Sequence, residues 1–284
     1  MKAYRSTFGL LVLGCLATPF AANAQFGTEP AKLSLVKVRD DVYVIRNPFV
    51  PGNTTAVITG EGVILVDDKF DIDHDNVVAM LKTVTNQPIK YVINTHYHAD
   101  HSGGNAKLRA AGTLAVASAQ ARQRMVAGNQ PGLPDFTVQP RGTIWLGGKS
   151  AEIYWMGRAH TDGDVVVLFP QSRVLAAGDI YTHGDGTPQL VDYAGGGSAK
   201  EWTATVEEVL KLDFDTVVPG HGDVATKRDM TAFRDSTKRF TELVTQLVKQ
   251  GRSRADIEQA MRSEFGWQDF HVQLGLDGLI NEMK

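Results

Sequence analysis

The stretch Thr95-His96-Tyr97-His98-Ala99-Asp100-His101-Ser102-Gly103-Gly104-Asn105 decides how this chain is read. It follows a short apolar run at 89–94 that has the length and composition of a buried strand. Three imidazoles and a carboxylate within six residues are a high density for a chain holding 8 histidines. In extended backbone, alternate side chains share a face, so His96 and His98 point the same way and reach one cation together. Asp100 and His101 come after the turn has begun and face a second cation nearby. Gly103 and Gly104 let the backbone bend sharply into the helix expected next.

Outward from this stretch, the same residue types recur wherever an apolar run ends. His160 lies in Gly157-Arg158-Ala159-His160-Thr161, after a strand expected at 152–156. Asp179 closes the strand expected at 174–177, and His221 follows that at 216–218 in Pro219-Gly220-His221-Gly222. Loops at strand ends gather along one rim of a sheet. Seven donors there supply two sets of three ligands with one carboxylate shared between them. Three protein ligands leave a coordination position open, which marks a catalytic rather than a structural zinc. Neutral imidazole suits zinc, and a bridging carboxylate offsets the charge of two cations; iron or manganese fit such a mixed set as well.

The rest of the chain frames these donors. Runs rich in β-branched residues at 36–38, 42–45, 55–59 and 63–66, separated by Gly, Pro and Asn, read as an antiparallel strand series. A helix follows at 71–84, with Val77, Val78, Leu81 and Val84 at helical spacing. A second cycle has strands at 114–118, 142–145, 152–156, 165–169 and 174–177, and a helix at 119–127. Ser198 reads as the cap of a helix that turns Trp202, Val206, Val209 and Leu210 to one face. From Lys227 onward the pattern is helical, with breaks near Gly251 and Gly266. Strands and helices thus occur twice in similar order, which packs most simply as an α+β, four-layer sandwich with sheets face to face and helices outside. No linker-like stretch divides residues 25–284, so one domain is expected.

Composition narrows the function. With 284 residues, 43% hydrophobic and 21% charged, the chain is too apolar for disorder and long enough for a sizeable core. The first 24 residues differ: Lys2 and Arg5 precede an apolar stretch at 8–20, and Ala22-Asn23-Ala24 has the small-x-small form of a cleavage site. Residues 1–24 therefore read as a secretory signal, and the protein as periplasmic or secreted. The apolar stretch is too short to span a bilayer. Cys15, the only cysteine, sits in a weak lipoprotein-like Leu13-Gly14-Cys15 context; the apolar run continues past it, which favours soluble export. Without that cysteine the exported chain has neither disulfides nor thiolate ligands. Setting Lys2 and Arg5 aside from 29 basic residues leaves 27 against 32 acidic ones, a net charge of −5 that argues against nucleic acid as a partner. A small-molecule substrate is expected, with no membrane span; the oligomeric state is not legible.

Residues 95–105, taken with 157–170, 177–179 and 218–222, resemble the metallo-β-lactamase superfamily, whose hallmark is the His-x-His-x-Asp-His run. The resemblance extends from about Val42 to Val224. It implies an αβ/βα sandwich with a metal pair, two zinc ions, in the cleft. By that likeness His96, His98 and His160 match the ligands of the first metal, Asp100, His101 and His221 those of the second, and Asp179 the bridging carboxylate. Asp100 is also the implied catalytic residue, and Asp67 matches an early Asp that orients the site. The run from Ala159 to Val167 with Val218-Pro219-Gly220-His221-Gly222 is similar to β-lactamases of the first subclass. Those carry Cys where Asp179 stands here, and Lys where Thr182 stands. Asp179 is instead similar to glyoxalase II-like thioesterases and lactonases. The implied function is an exported dinuclear zinc hydrolase acting on an amide, ester or lactone, a β-lactam among them. Alternatives are a thioester hydrolase and a non-catalytic metal or small-molecule binding protein.

Other residues read more plainly. His74 and His271 are expected at the surface, His183 in an ordinary loop, and Asp164 in a hydrogen bond within its turn. Gly148-Lys149-Ser150 fails as a phosphate loop, because Thr143 stands where its leading glycine belongs. The basic residues of 227–254 read as a solvated helix face.

Overall fold

The computed structural model describes residues 29–48, 50–184 and 189–284. The expected secretory signal, residues 1–24 with Cys15, lies outside the described residues.

Seven strands form the first sheet, side by side in chain order: β1 (Ser34–Lys37), β2 (Val42–Arg46), β3 (Thr54–Ile58), β4 (Val63–Val66), β5 (Ile89–Ile93), β6 (Leu114–Ser118) and β7 (Phe136–Val138). β1 to β4 run antiparallel, and β4 to β7 parallel. Parallel neighbours need crossovers, and helices supply them: α1 (His74–Lys82) after a 3-10 turn at Asp71–Asp73, α2 (Ala99–Ser102) with α3 (Asn105–Ala110), and α4 (Ala119–Ala127).

The second sheet contains β8 (Arg141–Leu146), β9 (Lys149–Tyr154), β10 (Val166–Phe169), β11 (Val174–Gly178), β12 (Thr216–Pro219) and β13 (Ala225–Thr226), ordered β13-β12-β11-β10-β9-β8. Its one parallel pair, β11 with β12, is bridged by α5 (Ala199–Val209). Then come α6 (Lys227–Lys249), α7 (Arg254–Phe265) and α8 (Asp269–Met283). Ser198 accepts from Glu201 N as the cap of α5, and α6 and α7 begin with the reciprocal boxes Thr226/Asp229 and Ser253/Asp256.

Three apolar clusters show why the layers stack. Val44, Val57, Ile64, Val66 and Ile93 from the first sheet meet Ile153, Val167, Phe169 and Val174 from the second. Strand neighbours of opposite parity, Ile45, Val63, Leu65 and Val92, face outward onto Val77, Leu81 and Leu108 of the helices. β4 is buried at every residue, so both faces need apolar side chains and the run Val63-Ile64-Leu65-Val66 is continuous rather than alternating. Outside the second sheet, Trp202, Val206, Phe240, Val244 and Leu276 pack with Leu175 and Val217. The result is the α/β/β/α order expected from the sequence.

The structure departs from the expected strands in one instructive place. A strand at 152–156 was expected, and β9 begins at Lys149, because Gly147 and Gly148 (φ 52° and 82°) make a two-residue hairpin turn with β8. β7 and β13, three and two residues long, are too short to leave a pattern. His271 is also corrected: it is 2% exposed, and its Nδ1 accepts the Gln268 N–H at the start of α8. Among the described residues no helix is long and apolar enough to cross a membrane.

Candidate metal centre

All seven candidate donors follow strand ends on one rim: Asp100 and the three clustered histidines after β5, His160 between β9 and β10, Asp179 after β11, His221 after β12. Three groups have ligand atoms within 4.8 Å of one another: His96, His98 and His160; Asp100, His101 and His221; and His96, His101 and Asp179. The structure thus brings together all seven donors singled out from the sequence.

Distances within these groups are informative. His98 Nδ1 lies 3.1 Å from His96 Nε2 and 3.0 Å from His160 Nε2. His101 Nε2 lies 3.3 Å from His221 Nε2, and Asp100 Oδ2 is 3.5 Å from both. Nitrogens bound tetrahedrally to one zinc, at about 2.0–2.1 Å from it, stand about 3.3 Å apart. Asp179 reaches across: its Oδ2 is 3.5 Å from His160 Nε2 and 3.4 Å from His221 Nε2, while Oδ1 is 3.2 Å from His101 Nε2. A Cβ on Gly220 would collide with that carboxylate, so the residue before His221 is glycine for reasons of space.

The outer partners of His96, His98, His101 and His160 fix the tautomers of these rings and aim a lone pair of each inward. His160 Nδ1 donates to Leu190 O at 2.6 Å, and His98 Nε2 to Asp192 Oδ2 at 2.9 Å. His101 Nδ1 donates to Asp67 Oδ2 at 2.8 Å. Thr95 Oγ1 donates to Asp67 at 2.8 Å, which leaves its oxygen to accept from His96 Nδ1 at 3.1 Å. Unprotonated nitrogens then point at one another, beside an Asp179 Oδ1 that is buried without a hydrogen-bond partner. Such an array repels itself unless a cation sits in it, so the donor chemistry fits a bound metal.

The field in the cluster agrees. Burial holds His96 and His160 below the usual imidazole range. Burial also opposes charge on His98, His101 and His221, but the surrounding carboxylates override it and raise all three. Asp179, despite the opposing effect of burial, is held well below the usual carboxylate range by His221 and His101. Positive charge is thus favoured beside the carboxylates, at His98, His101 and His221, and disfavoured on the His96 and His160 rings, where burial prevails.

Several supporting residues escaped the sequence reading. Asp192 accepts from His98 and from the Tyr97 hydroxyl, yet it is a lone Asp with no spacing signal. Leu190 acts through its carbonyl, which no side chain announces. Lys69 is fully buried, donates to Gly52 O, and is pushed down to about 7 by burial. It anchors a loop whose Asn53 Nδ2 donates to Pro219 O and Gly222 O at 2.9 Å each, on either side of His221. Asp67 and Lys69, both at positive φ (61° and 66°), stand out as strained backbone beside the cluster. Asp164 bonds Thr161 within its turn, as expected, and His183 Nδ1 faces Asp223 O at 3.0 Å.

Comparison with known proteins agrees with this geometry. The family model for the metallo-beta-lactamase superfamily matches residues 47–221. The chain belongs to the metallo-β-lactamase superfamily. It is 29% identical over 208 residues to a metallo-beta-lactamase type 2 of Bacillus cereus, covering 70% of this chain and 80% of that one. It is 27% identical over 209 residues to the enzyme of the same description from Bacillus sp. (strain 170), with the same coverage. Among solved structures, the metallo-beta-lactamase from Pontibacter korlensis superposes with a TM-score of 0.64 at 24% identity, covering 72% of this chain and 99% of that one. The DIM-1 metallo-beta-lactamase superposes with a TM-score of 0.65 at 20% identity, over 74% and 99%. The superfamily is one of metal-dependent hydrolases that generally bind zinc, and this chain is such a hydrolase.

Proposed function

We propose that the protein is an exported dinuclear zinc hydrolase that opens an amide, ester or lactone bond in a small molecule, with a β-lactam the first substrate to test. The observation that carries this reading is the inward convergence of imidazole lone pairs and two carboxylates at spacings that suit two cations. His96, His98 and His160 would hold one ion, Asp100, His101 and His221 the other, and Asp179 faces both. When bound, such a pair lowers the pKa of a water to about 7 and polarises a carbonyl. Asp100, beside His101 and His221, would help to orient the attacking water and take up its proton on the carboxylate oxygen not turned toward those rings. Asp67, Thr95, Leu190 and Asp192 keep the rings fixed, so that little reorganisation accompanies reaction.

Export rests on the composition of residues 1–24, and a single domain over 25–284 on the absence of a linker. Relatives named metallo-beta-lactamase type 2 favour a lactam. Asp179, where β-lactamases of the first subclass carry Cys, favours a second reading, hydrolysis of a thioester.

The test is chelation followed by reconstitution, assayed on a chromogenic lactam, an acyl-homoserine lactone and S-lactoylglutathione. Activity on one of these falls at least about 100-fold on demetallation and returns with zinc. Turnover that survives complete demetallation overturns the reading. Hydrolysis of the thioester alone selects the second.

A further inference from the structure

The family match ends at residue 221, before α6, α7 and α8. Those helices nonetheless bear on the segment 189–199, whose inner side touches two of the clustered histidines. On that inner side, Leu190 O accepts from His160 Nδ1 at 2.6 Å and Asp192 Oδ2 accepts from His98 Nε2 at 2.9 Å. Asp192 N also donates to His160 O at 2.9 Å. On the outer side, Gln189 Nε2 donates to Thr237 Oγ1 of α6 at 3.0 Å. Tyr193, next to Asp192, lays its ring over Gly278 of α8, where a Cβ would collide with it. Its hydroxyl donates to Glu282 Oε2 at 3.0 Å. The same carboxylate takes Ser198 Oγ at 2.6 Å and Ala199 N at 2.9 Å, so it also serves the N-terminus of α5.

We propose that Glu282, at the end of α8, is a positioning residue for the His96/His98/His160 set, acting through the segment 189–199. Among the described residues Glu282 makes no hydrogen bond to the segments that orient the other set: His101 is oriented by Asp67 at the end of β4, and the loop bearing His221 is held by Asn53. The effect of Glu282 is therefore selective. One carboxylate receives three donors from both ends of a seven-residue span. Removing it takes the outer anchor from Tyr193 and so loosens the neighbouring Asp192 and Leu190, which keep only their inner bonds. Partners that orient metal-binding histidines typically change affinity 10–100-fold when lost, and a residue one step further out belongs at the low end.

This inference rests on the metal reading above, and its test separates the two. Zinc and cobalt(II) affinities of the full chain are measured by chelator competition for Glu282→Ala, alone and in His160→Ala and His221→Ala backgrounds. Glu282→Ala weakens metal about tenfold in the His221→Ala background, which keeps the His98/His160 set, and less than twofold in the His160→Ala background. The cobalt(II) visible bands shift only in the former. Equal losses in both backgrounds, or none in either, overturn the proposal while leaving the metal reading intact. An unmutated chain that binds no metal overturns both. Should Glu282→Ala not fold, Tyr193→Phe removes one of the three bonds, and about a threefold loss confined to the same background is expected; no loss there overturns the proposal equally.

Discussion

The two halves of the donor cluster are built on different supports. His101 is 0% exposed, and its partner Asp67, 3% exposed, sits directly at the end of a central strand. His98 and Asp192 are 28% and 18% exposed, and Asp192 belongs to a connecting segment braced from outside by α8. The first pair is held by a sheet whose register any slip would break. The second is held by a loop whose position depends on Glu282 of α8, which its residues meet across 83 to 89 positions of chain. Burial sets the energetic scale. A buried hydrogen bond to a charged group is worth more than one reached by water, and leaving it unmade costs more.

That difference orders the expected effects. Asp67→Asn keeps the shape but turns an amide N–H₂ toward either His101 Nδ1 or the Thr95 donors. It should weaken metal at the His101 set about 100-fold and lower stability by about 3 kcal/mol, read by chelator competition and urea unfolding. Asp192→Asn makes the equivalent change at the His98 set, where solvent can stand in for the lost acceptor. About a tenfold loss of affinity is expected there, with stability changed by less than about 1 kcal/mol. If the Asp192 variant proves the more damaging, the comparison is reversed, and the outer segment is the stiffer support.

The same contrast explains what the sequence made legible. The donors were readable because each follows an apolar run, and because His96 and His98, two residues apart, reach one set even though the chain bends at 95–97. The layered packing was readable because strands and helices occur twice in similar order, and because β4 is a continuous apolar run with both faces to cover. Asp67 could be placed through its family likeness alone. What stayed hidden was the support of the more exposed half. Leu190 contributes a carbonyl, Asp192 stands isolated between Val191 and Tyr193, and Glu282 meets Ser198 across 84 residues of chain. None of these follows a period or a spacing. Lys69 was hidden for another reason. A lysine is rarely buried, and nothing local shows that it will be enclosed to hold Gly52.

His271 offers the finest test of the contrast, since it lies on α8 and away from the donors. Its ring is buried against Trp267 and Phe270, and burial pushes its pKa down to about 4. An unfolded histidine titrates near 6.5, so the folded chain takes up this proton less readily than the unfolded one. The stability that neutral His271 contributes is therefore complete above about pH 6.5 and is lost as pH falls toward about 4. With solvent screening at the ring's edge allowed for, the loss amounts to about 2 kcal/mol. His271→Gln keeps an acceptor for the Gln268 N–H and removes the titration. Urea unfolding of the metal-free chain between pH 7 and 4.5 should show the unmutated protein losing that much more stability than the variant. Parallel curves would mean that α8 already yields to water around this ring, and would remove the reason for regarding it as a firm brace.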